Sequence, residues 1–150
     1  PTNRGAHRYR MYLPFEAPFS SPLLTEHPVA LKVIGKVLGE RFLLNYFASD
    51  TPFPGSDYQA VHSDGEALFP GVAVALPVYA LVLNVSLVDV TEENGPMEFW
   101  PGGTHLIASP VDVARTAEGM VSQRLTIRAG DILLRDPRAA VILLAMPLVL

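Results

Sequence analysis

Residues 79–100, YALVLNVSLVDVTEENGPMEFW, decide the fold class of this 150-residue chain. The first part, residues 79–88, is an apolar run rich in the residues that favour strands. The Asn-Gly step at positions 94–95 is a strong signal for a tight turn. Residues 97–100 then have the composition of another short strand. A strand, a turn and a strand in succession favour β-architecture.

One helix is predicted on the N-terminal side of this stretch. Thr25 suits the N-cap region and Pro28 the first turn, where a missing backbone N–H is tolerated. Gly39 is placed where a helix ends, and His27 is predicted to be a residue of the helix start. The apolar face consists of residues that recur at helical spacing: Leu31, Ile34 and Leu38.

The rest of the chain alternates short β-like runs with Gly and Pro, a pattern typical of a double-sheet jelly roll or a barrel. We predict a mainly β chain, a double-stranded β-helix (jelly roll, cupin-like) with at least one N-terminal helix. Residues 1–150 are expected to form a single, C-terminally incomplete domain. Strands are also predicted at 41–48, 58–64, 72–76, 121–127 and 132–135, with a loop at 51–56 and a helical turn or loop at 111–118.

The composition excludes several classes of protein. With 49% hydrophobic residues the chain is not a disordered segment, and its formal net charge of −4 gives no basic surface for nucleic acid. It has no cysteine, which rules out disulfides and thiolate metal ligands and fits a cytoplasmic location. A small-molecule substrate is the expected partner, and the oligomeric state is left open.

Residues 68–88 are apolar and long enough to be compared with a membrane span. They contain Pro70, Gly71, Pro77 and Asn84, which would interrupt a continuous helix. Buried strands with a turn between them fit this composition better, so no membrane partner is predicted.

The sharpest chemical feature is the His-Ser-Asp triplet at 62–64, within YQAVHSDG at 58–65. Alternate residues of a strand project to the same side, so His62 and Asp64 can present a nitrogen and an oxygen to one metal ion. These are two of the three ligands of the 2-His-1-carboxylate triad that holds iron in non-haem oxygenases. On its own the triplet is better explained as a polar strand end beside the turn at Gly65, because such short motifs often arise by chance.

Two further segments add to this triplet: ENGPMEFWPGGTH at 93–105 and GDILLRDPR at 130–138. Together with the Gln-to-His-x-Asp element, in this order, they resemble the phytanoyl-CoA dioxygenase family. The resemblance implies a double-stranded β-helix that binds Fe(II), uses 2-oxoglutarate as co-substrate and hydroxylates a small organic substrate. By position, His62 and Asp64 match the family's first two iron ligands.

Four more residues are candidates for lining the site. His105 is the sole histidine after Asp64 and is either a third ligand or, as the resemblance favours, a site-lining or structural residue. Gln59 matches the family near the site, although a cross-strand hydrogen bond explains it equally well. Asn45 and Asn84 are amides inside apolar strands, where each must pair with 2-oxoglutarate or with neighbouring backbone.

Residues 139–150 depart from the family pattern. The resemblance implies a second iron-binding histidine near Val141, and further on an arginine that grips 2-oxoglutarate. No histidine follows His105 and no arginine follows Arg138. We therefore expect a dioxygenase that is inactive as given. The alternatives are an active enzyme that uses His105 or a ligand from another chain, a non-catalytic jelly-roll binding protein, and a frameshifted or truncated fragment.

Overall fold

Helix α2, Pro28–Leu38, is the longest helix of the computed structural model, which describes residues 5–65, 68–69, 72, 74, 76–106 and 110–143. His27 is the N-cap, and its Nδ1 accepts a hydrogen bond of 3.3 Å from the backbone N–H of Ala30. Gly39 ends the helix with a φ of +87°, so the predicted helix and the role of His27 are confirmed. The prediction for Thr25 was wrong by two residues, because Thr25 ends a separate short helix, α1, at Pro22–Thr25.

Strands β1, Arg8–Tyr12, and β2, Ala48–Pro52, form an antiparallel two-stranded sheet. The predicted strand at 41–48 was wrong, since residues 41–47 have no regular structure and the strand begins at 48. The predicted loop at 51–56 likewise begins inside β2. The register, with Arg8 opposite Pro52, explains the shift: backbone partners from a segment 40 residues upstream, not local alternation, determine where this strand lies.

A second two-stranded sheet pairs β3, Val82–Val85, with β6, Ile132–Arg135, in antiparallel register. A third sheet has β4, Met97–Phe99, between β5, Gln123–Leu125, and β7, Val141–Leu143. The predicted strands at 79–88, 97–100, 121–127 and 132–135 are therefore present, most of them shorter. The predicted strand at 72–76 lies partly outside the described residues. The mainly β fold class is confirmed.

The predicted strand at 58–64 was wrong: only His62 pairs, in an isolated bridge with Val141. The backbone N–H of His62 donates to Val141 at 3.1 Å, and that of Val141 donates back at 2.8 Å. Three residues on, Gly65 donates to the carbonyl of Pro137 at 2.8 Å. The segment therefore runs beside residues 137–141 without forming a continuous ladder.

The core lies between the three-stranded sheet and helix α3, Pro110–Ala117. It is built from buried side chains on these elements or directly beside them: Trp100, Val113, Ala117, Ala140 and Ile142. Thr104, in a 3₁₀ turn at Thr104–Leu106, donates to the carbonyl of Trp100 at 2.8 Å and accepts from the N–H of Ala140 at 3.0 Å. These contacts fix the start of β7, and with it the position of Val141 opposite His62.

Within the described part of the chain, no helix combines the length and the hydropathy that crossing a bilayer requires.

Candidate metal centre

The bridge between His62 and Val141 is the framework of the candidate site. It pairs the first predicted ligand with Val141, near which the family resemblance implies a second iron-binding histidine. Val141 is 3% exposed and offers only hydrocarbon. Val141 therefore supplies no donor atom beside His62.

The ring of His62 is oriented by its own backbone neighbourhood. Its Nδ1 lies 2.8 Å from the carbonyl oxygen of Ala60, and since a carbonyl only accepts, Nδ1 carries the proton. Nε2 then faces Oδ1 of Asp64 at 3.4 Å. The hydrogen bond that the protonated ring donates to Asp64 raises the pKa of His62 against the opposing effect of burial, and the Ala60 carbonyl adds to the rise.

Asp64 is held by two partners. One oxygen faces His62, and the other accepts a hydrogen bond from Nη2 of Arg135. Burial acts to raise the pKa of this carboxyl. The hydrogen bond with His62 and the positive charge of Arg135 outweigh burial and hold the pKa well below its usual range. Asp64 is therefore ionised throughout the neutral range.

Arg135 is a site residue that the sequence reasoning missed. It ends β6, and its Nε donates to Oδ1 of Asn84 on the paired strand β3 at 3.3 Å. Asn84 thus reaches the candidate site through Arg135. The only signal in the sequence was the position of Arg135 inside the GDILLRDPR element, which does not reveal its partner.

The remaining predicted residues lie in different surroundings. Gln59 is buried at 8% exposure, three residues before His62. Asn45 is exposed in the irregular segment after α2 and takes no part in the hydrogen bonds described above for His62, Asp64 and Arg135. His105 lies in the 3₁₀ turn, close enough to Asp136 for an electrostatic interaction. The roles assigned to these three residues stay predictions.

The donor set fits iron only in part. Two atoms that bind one ion at about 2.1 Å each lie within about 4.2 Å of each other, a condition that the 3.4 Å between His62 Nε2 and Asp64 Oδ1 meets. However, no group of three or more His, Cys, Asp or Glu residues that could hold a metal occurs among the described residues. His105 is therefore not brought together with His62 and Asp64, and the residues present do not complete a facial triad.

The fold is that of a cupin-like, mainly β protein. The chain belongs to the phytanoyl-CoA dioxygenase (PhyH) family, whose model matches residues 10–140. This confirms the family suggested by the three sequence elements.

Two solved structures resemble the chain. EvdMO1 superposes with a TM-score of 0.71 at 21% identity, covering 93% of this chain and 32% of that one, which confirms the fold. The non-heme alpha ketoglutarate dependent carbocyclase SnoK from nogalamycin biosynthesis superposes with a TM-score of 0.47 at 26% identity, over 61% and 39% of the two chains. The chain spans 32% and 39% of the length of these two proteins.

Proposed function

We propose that this chain is a domain of the Fe(II)- and 2-oxoglutarate-dependent dioxygenase type that holds two of the three protein ligands and does not catalyse oxygenation as it stands. The observation that carries this proposal is the His62–Val141 bridge: a valine pairs with His62, close to where the family resemblance implies the third donor. Family membership supports the reaction class. The substrate class, a small organic molecule, follows from the family alone.

His62 and Asp64 each have a definite part in this proposal. His62 would bind through Nε2, since Ala60 fixes its other nitrogen, and Asp64 would bind as a carboxylate. In the family, bound iron and 2-oxoglutarate supply the chemistry that activates O2. Two protein donors do not enforce the three-ligand facial geometry, so no oxygenation step is derived for this chain. The cytoplasmic location stays part of the proposal and is supported by the lack of cysteine.

The first test introduces the missing donor with Val141→His. We expect the unaltered chain to show neither tight Fe(II) binding nor Fe(II)-dependent decarboxylation of 2-oxoglutarate. The variant should bind Co(II), used as an air-stable spectroscopic probe, and Fe(II). Val141→Leu keeps the site apolar and is the matched control. Adding His62→Ala to Val141→His should remove the gained binding, because only one imidazole then remains.

Turnover of 2-oxoglutarate by the unaltered chain would contradict the proposal and favour an active enzyme. His105→Gln would then decide whether His105 is the third ligand, since its loss would abolish both turnover and iron binding. A rise in melting temperature with 2-oxoglutarate or another small acid, without turnover, would instead favour the non-catalytic binding protein.

A further inference from the structure

The cluster formed by His62, Asp64, Arg135 and Asn84 already contains a cation. This cation is the guanidinium of Arg135, whose side chain is 12% exposed. Its Nη2 donates to Asp64 and its Nε to Asn84. The third nitrogen, Nη1, is buried and has no hydrogen-bond partner among the described residues. Such a guanidinium is tolerated in the fold because the carboxylate of Asp64 balances its charge.

Asp64 in turn depends on the charge of Arg135. The side chain of Asp64 is 35% exposed, and the groups that face it are the imidazole of His62 and the guanidinium of Arg135. Where a carboxylate is only partly hydrated, a compensating charge or hydrogen bonds favour its ionised form. In a metal centre the ion supplies that charge, whereas in this chain Arg135 supplies it.

We infer that Arg135 replaces the metal ion as the counter-charge of the His62–Asp64 pair and disfavours the binding of a divalent cation there. This inference rests on the proposed function, in which His62 and Asp64 are the retained ligand pair. Two physical effects carry it. A metal ion must compete with the hydrogen bond that Arg135 donates to Asp64, and it must accept a fixed positive charge beside its own carboxylate ligand.

The site is therefore more than a triad that lacks one donor. A chain with Val141→His alone would regain the third ligand but would keep the competing guanidinium. A chain with both Val141→His and Arg135→Gln would have three donors and no internal cation. The affinity difference between these two proteins measures the effect of Arg135 apart from the effect of position 141.

The test measures Mn(II) binding by the loss of the free-ion electron paramagnetic resonance signal. We expect Val141→His/Arg135→Gln to bind Mn(II) at least about tenfold more tightly than Val141→His, the size expected for one charge-assisted hydrogen bond. Val141→His/Arg135→Lys retains the charge and should stay close to Val141→His. Val141→His/Arg128→Gln is the matched control, because Arg128 is an exposed arginine outside the cluster whose loss changes the net charge equally.

Equal affinities of Val141→His with and without Arg135→Gln would overturn the inference and leave the proposed function standing. Absence of Mn(II) binding in both proteins would overturn the inference together with the proposed function. If Val141→His/Arg135→Gln is unfolded without metal, millimolar Mn(II) must restore its circular dichroism spectrum, because the ion then takes over the role of Arg135. Failure of that restoration would equally overturn the inference.

Discussion

Asp136 and Arg138 form an ion pair just before the strand that lies opposite His62. Nη2 and Nε of Arg138 donate to the two oxygens of Asp136 at 2.7 and 2.9 Å, and Nη1 donates to the carbonyl of Leu76 at 3.1 Å. The guanidinium carbon also lies 5.0 Å from the ring centre of Tyr79. With side chains only 9% and 14% exposed, the pair ties the 76–79 segment to the chain that leads into β7.

This pair predicts a pH dependence of stability. Burial acts to raise the pKa of Asp136, but the hydrogen bonds from Arg138 outweigh it, so the folded-state pKa lies below its ordinary value of 3.8. A carboxyl with a depressed pKa in the folded state contributes stability above the unfolded pKa and loses it as the pH falls through the folded pKa. The contribution of Asp136 should therefore be complete at neutral pH and disappear in the acid range below 3.8.

The measurement is urea unfolding of the unaltered chain and of Asp136→Asn between neutral pH and pH 3. We expect Asp136→Asn to be less stable at neutral pH, with the difference shrinking as the solution becomes acid. Asp112→Asn is the control, because Asp112 is an exposed carboxylate paired with Arg115 on the surface of α3. A stability difference for Asp136→Asn that is the same at every pH would contradict the assignment.

Residue-level prediction from the sequence succeeded in placing His62 and Asp64 side by side, although the continuous strand it assumed is absent. The two-residue spacing in an extended segment is enough for their side chains to meet. It could not find Arg135, because the hydrogen bond to Asp64 joins residues 71 positions apart. It also could not predict that Asn84 would be linked to Asp64 through Arg135 and that Asn45 would be exposed.

At the scale of elements, replacing a glycine in helix α2 and the glycine at its end with alanine should change the stability in opposite directions. Gly35 is inside the helix, and a Cβ there would make only ordinary contact with the ring of Phe42 at 3.9 Å. Gly35→Ala should therefore stabilise the protein by about 0.5–1 kcal/mol through helix propensity. Gly39 has a φ of +87° and a ψ of 169°, a combination that is almost confined to glycine. Gly39→Ala should destabilise by about 1–3 kcal/mol.

Urea unfolding of both variants tests this pair, and each serves as the control for the other. The open space around Gly39 means that a loss of stability there reports backbone strain and not a steric clash. Equal effects of the two alanines would show that the helix does not end at Gly39 in solution.

The elements differ in how far local sequence could predict them. Helix α2 was predicted almost to its ends, because its cap, its apolar spacing and its terminal glycine are all local signals. The segment at 41–48 alternates like a strand, yet Leu43 is 91% exposed and only residue 48 belongs to a strand. Strand β1 was not predicted at all. The positions of these strands depend on pairing between distant segments, which cannot be inferred from a single sequence.

At the scale of the whole molecule, the chain exposes more surface than its mass requires. Its accessible area is 10061 Å² at 16.3 kDa, whereas the scaling for folded monomers gives about 7,500 Å². The described sheets have only two or three strands, so the described part of the fold covers few of its own apolar faces. Large side chains that are more than half exposed include Tyr9, Tyr12, Phe15, Leu23, Leu43, Leu87 and Val121.

This excess predicts that the 150-residue chain on its own binds a hydrophobic dye and associates with itself. Anilinonaphthalene sulfonate fluorescence and sedimentation velocity over a wide range of concentration measure the two properties. Replacing the most exposed apolar side chains with lysine, at Leu23, Leu43 and Val121, should reduce both, because these side chains are 84%, 91% and 85% exposed. Each replacement should change the free energy of unfolding by no more than about 0.5 kcal/mol, as is usual for surface positions.

The same replacements separate surface association from incomplete folding. If dye binding persists in the triple lysine variant while association is lost, the dye reports a loosely packed core and not the exposed faces. A chain that stays monomeric and binds no dye would show that its apolar surface is covered in solution. In that case the small sheets are covered by contacts other than those described above. Because β7 is one of the strands concerned, the surroundings of His62 and Val141 would then have to be measured again before the effect of a histidine at position 141 is interpreted.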